Sequence, residues 1–384
     1  HRIRSFISRA FLNAMNETMQ VMAMMAKVIG MDGSATQKSA SWRVAPGLST
    51  RLEEAGLYAR RGAAYAKAAV SPPWLPLYHL PFCTAPRGRT KHMSPLRYLH
   101  LDVFAATLGG GNHLGVVIGA DGWDSAAMQR FARWTALVET TFLLPPTAPR
   151  ASYRVRIFTP HEEIPFAGHP SIGSAHAALE AGLATPRDGL LWQECGAGVL
   201  PIRVEGTGAT RELLLRSPGE RVLATGRDAN PLLAAALHGV TDGALPPALV
   251  DGGRRWWLAE VAGEASLRAW QPDHAAILAL ARASSSMGLC AFARVASDQP
   301  RLVVRAFPAG VGIVEDPASG AANGLIAAWI AHAEPHGPLA RGYQVSQGRE
   351  IGHDAQLMVH IDNDAIWVGG RSHTIVDGSL AWSA

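Results

Sequence analysis

The sequence predicts an α+β protein with two similar halves, and three observations carry that prediction. Short alternating strand patterns and helical patterns follow one another without the regular strand–helix–strand rhythm of a parallel sheet. A seven-residue pattern, [HD]-P-x-x-G-x-A, occurs twice, as His169-Pro170-Ser171-Ile172-Gly173-Ser174-Ala175 and as Asp316-Pro317-Ala318-Ser319-Gly320-Ala321-Ala322. Each copy runs into an Ala-rich helical stretch.

The elements follow in order. Leu96 to Phe104 reads as a strand. Residues 124–136 carry Met128, Phe131, Ala132, Trp134 and Thr135 at helical spacing, with Asp124 or Ser125 as N-cap. Tyr153 to Phe158 alternates cleanly and is a strand. Ser171 to Gly182 is a small-residue helix stopped by glycine. Residues 190–205 are strand-like but broken by Gly196 and Gly198, and 211–216, 254–261 and 301–307 read as further strands. Residues 272–286 and 321–333 read as helices, and Gln356 to Ile375 is mostly strand.

The chain has 384 residues, 48% of them hydrophobic, which is enough for two domains with cores of their own. The 39 Gly and 25 Pro are not periodic, and 17% charged residues is low for a disordered chain. The net charge of +4 is unevenly spread. Residues 1–92 hold 13 Lys+Arg against 4 Asp+Glu, and the remainder holds 22 against 27. A basic face for nucleic acid is therefore not expected of the last three quarters. Residues 1–92 also differ by their Met clusters, a Pro-rich stretch and a basic run from Arg87 to Lys91. They are expected to be an N-terminal extension, disordered or not native, with a weak likeness to a transit sequence in Arg2, Arg4 and Arg9. The catalytic unit is expected to start at Met93. Its two domains are expected over 93–208 and 209–384.

Cys83, Cys195 and Cys290 make neither a disulfide framework nor a CxxC motif, which fits inert thiols in a reducing, cytoplasmic compartment. No apolar run is long enough to span a membrane, the longest candidate (Val21 to Met31) being short and containing Lys27. Asn13, Asn16 and Glu17 interrupt any secretory leader.

Several residues could carry chemistry. The repeated motif places a polar residue before Pro and small residues at a helix start. That leaves free backbone N–H groups where an anion can sit. Two such ends facing each other would form a carboxylate-binding cleft between the halves, although the same pattern also suits two ordinary Pro-initiated helices. Glu139, in Leu137-Val138-Glu139-Thr140-Thr141-Phe142, sits among apolar neighbours just after a helix. Desolvation there would raise its pKa towards the range useful for proton transfer. The alternative is a glutamate that caps or pairs at the helix end. His169 could donate to a substrate carboxylate or carbonyl, and Asp316 could accept from an amine or hydroxyl. Both also suit caps and turns. The loop Gly109-Gly110-Gly111-Asn112 resembles a phosphate cradle but lacks GK[ST] and the acidic residue of a dinucleotide site. No zinc-ligand spacing and no GxSxG elbow are present, so no metal or cofactor is expected.

The motifs resemble a known family. Leu101-Asp102-Val103-Phe104, Gly111-Asn112, Glu139-Thr140-Thr141-Phe142, Arg156-Ile157-Phe158-Thr159-Pro160, Glu163 to Pro170 (EIPFAGHP), Gln193 to Gly198 (QECGAG) and Glu315 to Gly324 (EDPASGAANG) stand in the order seen in PhzF-like phenazine-biosynthesis proteins. The likeness covers about residues 96–375. It implies the fold of diaminopimelate epimerase, with two pseudo-symmetric domains, each a curved sheet wrapped around a central helix, and an active site in the cleft between them. It implies a cofactor-free homodimeric isomerase that moves a proton on a small carboxylated substrate. By the same likeness Glu139 is the general acid/base, His169 and Asp316 bind substrate, and Gly168 and Gly320 let backbone approach it. An epimerase or racemase on the same scaffold, or a non-catalytic metabolite-binding protein, are the alternatives. Two positions depart from the family pattern: Ala321 replaces a Ser, and Ser319 stands where Thr is usual. Loss of the Ser hydroxyl should discriminate against a substrate that needs it. Neither helix start carries a Cys, which disfavours a two-thiol racemase.

Overall fold

The computed structural model describes residues 96–383 apart from 298, 300, 363 and 364. The expected extension over 1–92, with Cys83, and the expected start at Met93 lie outside the described residues. The described residues belong to one compact unit.

Eight strands and two helices come first: β1 (Leu96–Val103), β2 (Asn112–Ile118), α1 (Ser125–Thr135), β3 (Thr140–Leu144), β4 (Tyr153–Phe158), β5 (Glu163–Ile164), α2 (Gly168–Glu180), β6 (Leu190–Cys195), β7 (Gly198–Glu205) and β8 (Glu212–Arg216). The later part holds β9 (Arg221–Thr225), α3 (Leu233–Ala236), β10 (Ala248–Asp251), β11 (Arg255–Glu260), α4 (Glu264–Ala269) and α5 (His274–Ser284). It continues with β12 (Leu289–Arg294), β13 (Arg301–Phe307), α6 (Gly320–Ala333), β14 (Gly342–Gln347), β15 (Ala355–Asp362), β16 (Ala365–Gly370) and β17 (Ser372–Leu380).

Strand pairing repeats. β1–β2 is antiparallel, β2–β3 parallel, β3–β4 antiparallel, β4–β6 parallel, and β6–β7 and β7–β8 antiparallel. The same sequence of senses recurs through β10–β11, β11–β12, β12–β13, β13–β14, β14–β15 and β15–β16. The two runs join at the antiparallel pair β8–β16. Each run is then extended by a strand that crosses the junction. β9, after β8, pairs with β10 of the second run, and β17, after β16, pairs with β1 of the first. The fold is α+β, of the diaminopimelate epimerase-like kind.

Each run curls around one helix. α2 is buried from His169 to Ala178 and α6 from Ala322 to Ile330. Their sequences allow this, because small or apolar residues predominate on every side of both helices, as burial on all sides requires. Gly173 is the sharpest case: a Cβ there would stand 2.4 Å from Leu114 and 2.8 Å from Val103. α1 instead lies outside, capped by the Asp124 carboxylate, which accepts from Ala127 N–H at 2.7 Å, and burying Met128, Phe131 and Ala132. Trp134, expected on the apolar face, is 67% exposed. It leans on Trp382, whose ring lies 5.2 Å away.

Strands β2, β3, β12 and β14 are not announced by alternation. β3 is buried at all five positions and β12 at five of six, so both faces are apolar and a period of two is absent. α2 starts three residues before the expected Ser171, since Pro170 is tolerated in a first helical turn, where its missing N–H is no loss. Among the described residues, no helix is long and apolar enough to cross a membrane.

Candidate active site

α1 ends at Ala136, which takes the left-handed conformation (φ 54°) and turns the chain. Three residues later Glu139 arrives at the mouth of β3, its side chain 13% exposed. Its Oε2 is buried and makes no hydrogen bond among the described residues. Burial, reinforced by the nearby Asp316 charge and opposed by Arg254, pushes the Glu139 carboxyl up to about 8. Oε2 lies 3.5 Å from Nδ1 of His169. The other ring nitrogen of His169, Nε2, sits 3.1 Å from the His113 carbonyl oxygen and must donate to it. This fixes the tautomer: Nδ1 presents a lone pair to Glu139. Burial holds the imidazole down at about 4, so the ring is neutral near pH 7. In this tautomer Nδ1 accepts, and donation from it to a substrate requires a change of protonation.

Asp316 comes from the other half of the chain. Asn112, at the start of β2, donates through Nδ2 to Asp316 Oδ1 and to the Ala318 carbonyl, both at 3.1 Å. Ala318 N–H donates to the same Oδ1 at 3.2 Å. Burial pushes the Asp316 carboxyl up to about 7, against the hydrogen bonds from Ala318, Ser319 and Asn112, which pull it down. The loop around it is held from below. Gln347 Nε2 donates to the Asp316 carbonyl at 2.9 Å, while its Oε1 accepts from Ser319 N–H and Asn323 Nδ2. Glu315 forms a buried two-pronged ion pair with Arg305, both contacts at 2.9 Å. Arg305 Nη1 also donates to the Trp270 carbonyl at 2.6 Å.

The two repeated motifs meet. A Cβ built on Gly168 would lie 3.6 Å from the Ala321 nitrogen and 3.7 Å from Gly320 Cα. A Cβ on Gly320 would lie 3.5 Å from the Phe104 ring and 3.9 Å from Gly168 Cα. Neither glycine has a positive φ, and these distances are ordinary van der Waals contacts, so neither backbone conformation nor a clash at Cβ demands glycine here. α2 has no side-chain cap at Ala167, and Ser171 N–H already serves the Ala167 carbonyl. The first-turn donors ahead of it, Gly168 and His169, are orphans by helix geometry. At α6, Ser319 is the N-cap and its Oγ accepts from Ala322 N–H at 3.4 Å. Gly168, Gly320 and Ala321 line a small cleft. Its other walls are Phe104, Phe166, Ile172, Leu215 and Val368, with Arg216 and Ser217 at one side. Glu139, His169 and Asp316 are not among its walls, although His169 directly follows Gly168.

The structure thus brings together Glu139 and His169, sets Asp316 close enough to raise the Glu139 pKa, and joins Gly168 to Gly320 and Ala321. Asn112, Gln347 and Arg216 were not singled out from the sequence as site residues. Asn112 was visible there only within a glycine-rich loop and the Gly111-Asn112 pair of the family resemblance. That loop is no phosphate cradle: the Asp102 carboxylate accepts from Gly109 N–H at 2.7 Å and from Gly111 N–H at 2.8 Å. A Cβ on Gly111 would stand 2.2 Å from the Val103 carbonyl, so only glycine closes this loop. Cys195 and Cys290 lie on β6 and β12, and burial raises both thiols, with the Asp316 charge raising Cys290 further. Among the described residues no three metal-ligating side chains converge.

The PhzC-PhzF family model, described as phenazine biosynthesis-like protein, matches residues 101–378. The chain belongs to that family. Trans-2,3-dihydro-3-hydroxyanthranilate isomerase of Pseudomonas chlororaphis is 34% identical over 291 residues, covering 74% of this chain and 98% of that protein. Antisense-enhancing sequence 1 of Schizosaccharomyces pombe is 30% identical over 295 residues, covering 74% of this chain and 99% of that protein. Among solved structures, a PhzF-family phenazine biosynthesis protein from Bacillus anthracis superposes with a TM-score of 0.65 at 23% identity, covering 76% of this chain and 100% of that one. The PhzF-family assignment makes the chain an isomerase.

Proposed function

We propose that this PhzF-family isomerase moves a proton within a small carboxylated substrate, with Glu139 as the group that takes and returns it. The observation that carries the reading is the Glu139 carboxyl: buried, without a hydrogen-bond partner at Oε2, and pushed up to about 8. A carboxyl in that state exchanges protons near neutral pH. The substrate carboxylate is assigned to the orphan N–H groups of Gly168 and His169 and to the facing start of α6. Glu139 removes a proton from a carbon made acidic by an adjacent double bond or carbonyl, and the electron pair delocalises into that group. The same carboxyl delivers the proton to the far end of the system, so the double bond shifts and no other reactant is consumed.

The test is proton NMR in deuterium oxide with trans-2,3-dihydro-3-hydroxyanthranilate and a panel of cyclic amino and hydroxy acids. Wild type should place deuterium on a substrate carbon, and Glu139→Gln should be slower by about two to four orders of magnitude, the worth of a positioned acid/base. Equal exchange by the two proteins would refute the role of Glu139.

One observation favours a second reading, epimerisation. Asp316 faces the site from the opposite half with its carboxyl pushed up to about 7, so a second proton carrier is available. Epimerisation inverts one carbon and leaves the double bonds in place; chiral chromatography of the labelled product separates it from isomerisation.

A further inference from the structure

Each repeated motif is gripped from behind by a glutamine. Gln193 lies on β6 and Gln347 on β14, strands that hold the same place in the two runs, parallel to one neighbour and antiparallel to the other. Both side chains are fully buried. Gln193 Nε2 donates to Ser171 Oγ at 2.8 Å, and that hydroxyl donates on to the Ala167 carbonyl at 2.8 Å. Gln193 Oε1 accepts from the Tyr153 hydroxyl at 3.1 Å. This grip reaches the backbone only through a serine. Gln347 instead touches the motif backbone directly. Its Nε2 donates to the Asp316 carbonyl at 2.9 Å, and its Oε1 faces two donors, Ser319 N–H at 3.3 Å and Asn323 Nδ2 at 3.0 Å.

The Asp316 peptide is held on its other side as well. Its N–H donates to the Ala306 carbonyl of β13 at 2.9 Å. Pro317 follows and biases Asp316 away from helical backbone. Gly348, next after Gln347, runs against this loop: a Cβ on it would stand 2.5 Å from the Pro317 carbonyl oxygen, and its φ of 87° suits glycine. With its peptide fixed at both ends, Asp316 has only its own side-chain torsions left. Asn112 Nδ2 and Ala318 N–H settle those by donating to Oδ1.

We propose that Gln347 is the positioning residue of the Asp316 carboxylate, pinning the Asp316 peptide from beneath so that the carboxylate stays aimed at the substrate from the second half of the chain. That Asp316 meets substrate rests on the proton-transfer reading; that Gln347 holds it does not. The grip needs a donor and an acceptor on one short side chain, which an amide supplies and a thioether or an ionised carboxylate does not.

Two measurements on the full chain test this. The first uses no substrate. With aspartate carrying carbon-13 at Cγ, the Asp316 resonance is identified by its loss in Asp316→Asn. In Gln347→Met its titration midpoint should fall by at least about one pH unit towards the ordinary carboxylate range, because a released loop lets water reach the carboxyl. A midpoint that stays at the wild-type value in the folded variant would overturn the proposal. The second is a double-mutant cycle on deuterium exchange into trans-2,3-dihydro-3-hydroxyanthranilate. Gln347→Met should slow exchange by about tenfold to a hundredfold, the effect of a displacement of about 1 Å. Adding it to Asp316→Asn should cost no more than about a further threefold, because a residue that acts through Asp316 then has nothing left to act on. Gln193→Met, on the other half, should multiply with Asp316→Asn. Losses that multiply for Gln347 too would mean a glutamine that only packs the fold, and would overturn the proposal. Gln347→Glu keeps the size and the acceptor and serves if the Met variant does not fold. It should slow exchange more at alkaline than at acid pH, since ionisation removes the proton that replaces the amide donor; equal slowing at both would count against the grip on the Asp316 carbonyl. Absence of exchange by wild type would sink the proton-transfer reading for this substrate, and the titration would still decide the role of Gln347.

Discussion

At the scale of single residues, the chemistry of this site is set by what surrounds three titratable groups. Glu139 holds its proton up to about pH 8 in the folded chain, against 4.5 ordinarily, and Asp316 up to about 7, against 3.8. Between the ordinary and the folded values, the folded state binds more protons than the unfolded one, so stability falls as pH rises. His169 acts oppositely between about 4 and 6.5, where the unfolded chain holds more protons and stability rises with pH. Above 6.5 the carboxyls alone remain. The melting temperature should therefore fall from pH 6.5 to 8.5, and Glu139→Gln should flatten that fall and stabilise the protein at the alkaline end. Calorimetric scans at the two values check it; a variant with the wild-type slope would mean that Glu139 is not desolvated. Ala321 makes a second prediction. Restoring a hydroxyl by Ala321→Ser should raise kcat/KM for trans-2,3-dihydro-3-hydroxyanthranilate by about tenfold, the value of one net hydrogen bond, while an unchanged value would show that no substrate group reaches this position.

At the scale of elements, the site depends on loops held from behind. The Asp316 loop has a buried anchor at Glu315–Arg305, whose side chains are 5% and 6% exposed. Breaking such a pair strands the remaining charge, so Glu315→Gln should cost about 3–5 kcal/mol in chemical denaturation. A loss under 1 kcal/mol would show that the guanidinium finds other partners, of which the Trp270 and Leu267 carbonyls are already in place. On the first half, the left-handed turn at Ala136 and the entry into β3 decide where Glu139 points. Asn112 links the two sides, since one amide serves both the Asp316 side chain and the Ala318 carbonyl.

At the scale of the whole molecule, the repeated run of strand pairings makes each half a shell around its helix, and β17 ties the ends together. Eight of its positions pair with β1, with one irregularity between His100 and Leu101. Ending the chain at residue 371 would bare the β1 edge and unpair Arg97 from Asp377, a contact of 2.6 Å. The shortened chain should aggregate or melt markedly lower than the full one by light scattering and circular dichroism. A monodisperse, fully folded product would show that β17 is dispensable.

Much of this was legible in the sequence because it is local. The glycine stop of α2 at Gly182, the capping Asp124, and alternating strands such as Tyr153–Phe158 follow from periodicity and backbone chemistry within a few residues. The repeated motif marked both helix starts, and the apolar neighbours of Glu139 signalled a desolvated carboxyl. What the sequence could not determine depends on contacts between residues far apart in the chain. Strands buried on both faces lose their alternation, which hid β3 and β12. The hydrogen bonds of Asn112 to residues 316 and 318, the close approach of Gly168 to Gly320, and the return of β17 to β1 exist only once the halves have closed on each other. The raised pKa of Glu139 belongs to that closure too. Its own neighbours supply an apolar setting, but burial of Oε2 and the Asp316 charge come from the assembled fold, because desolvation and Coulomb interaction act through space rather than along the chain.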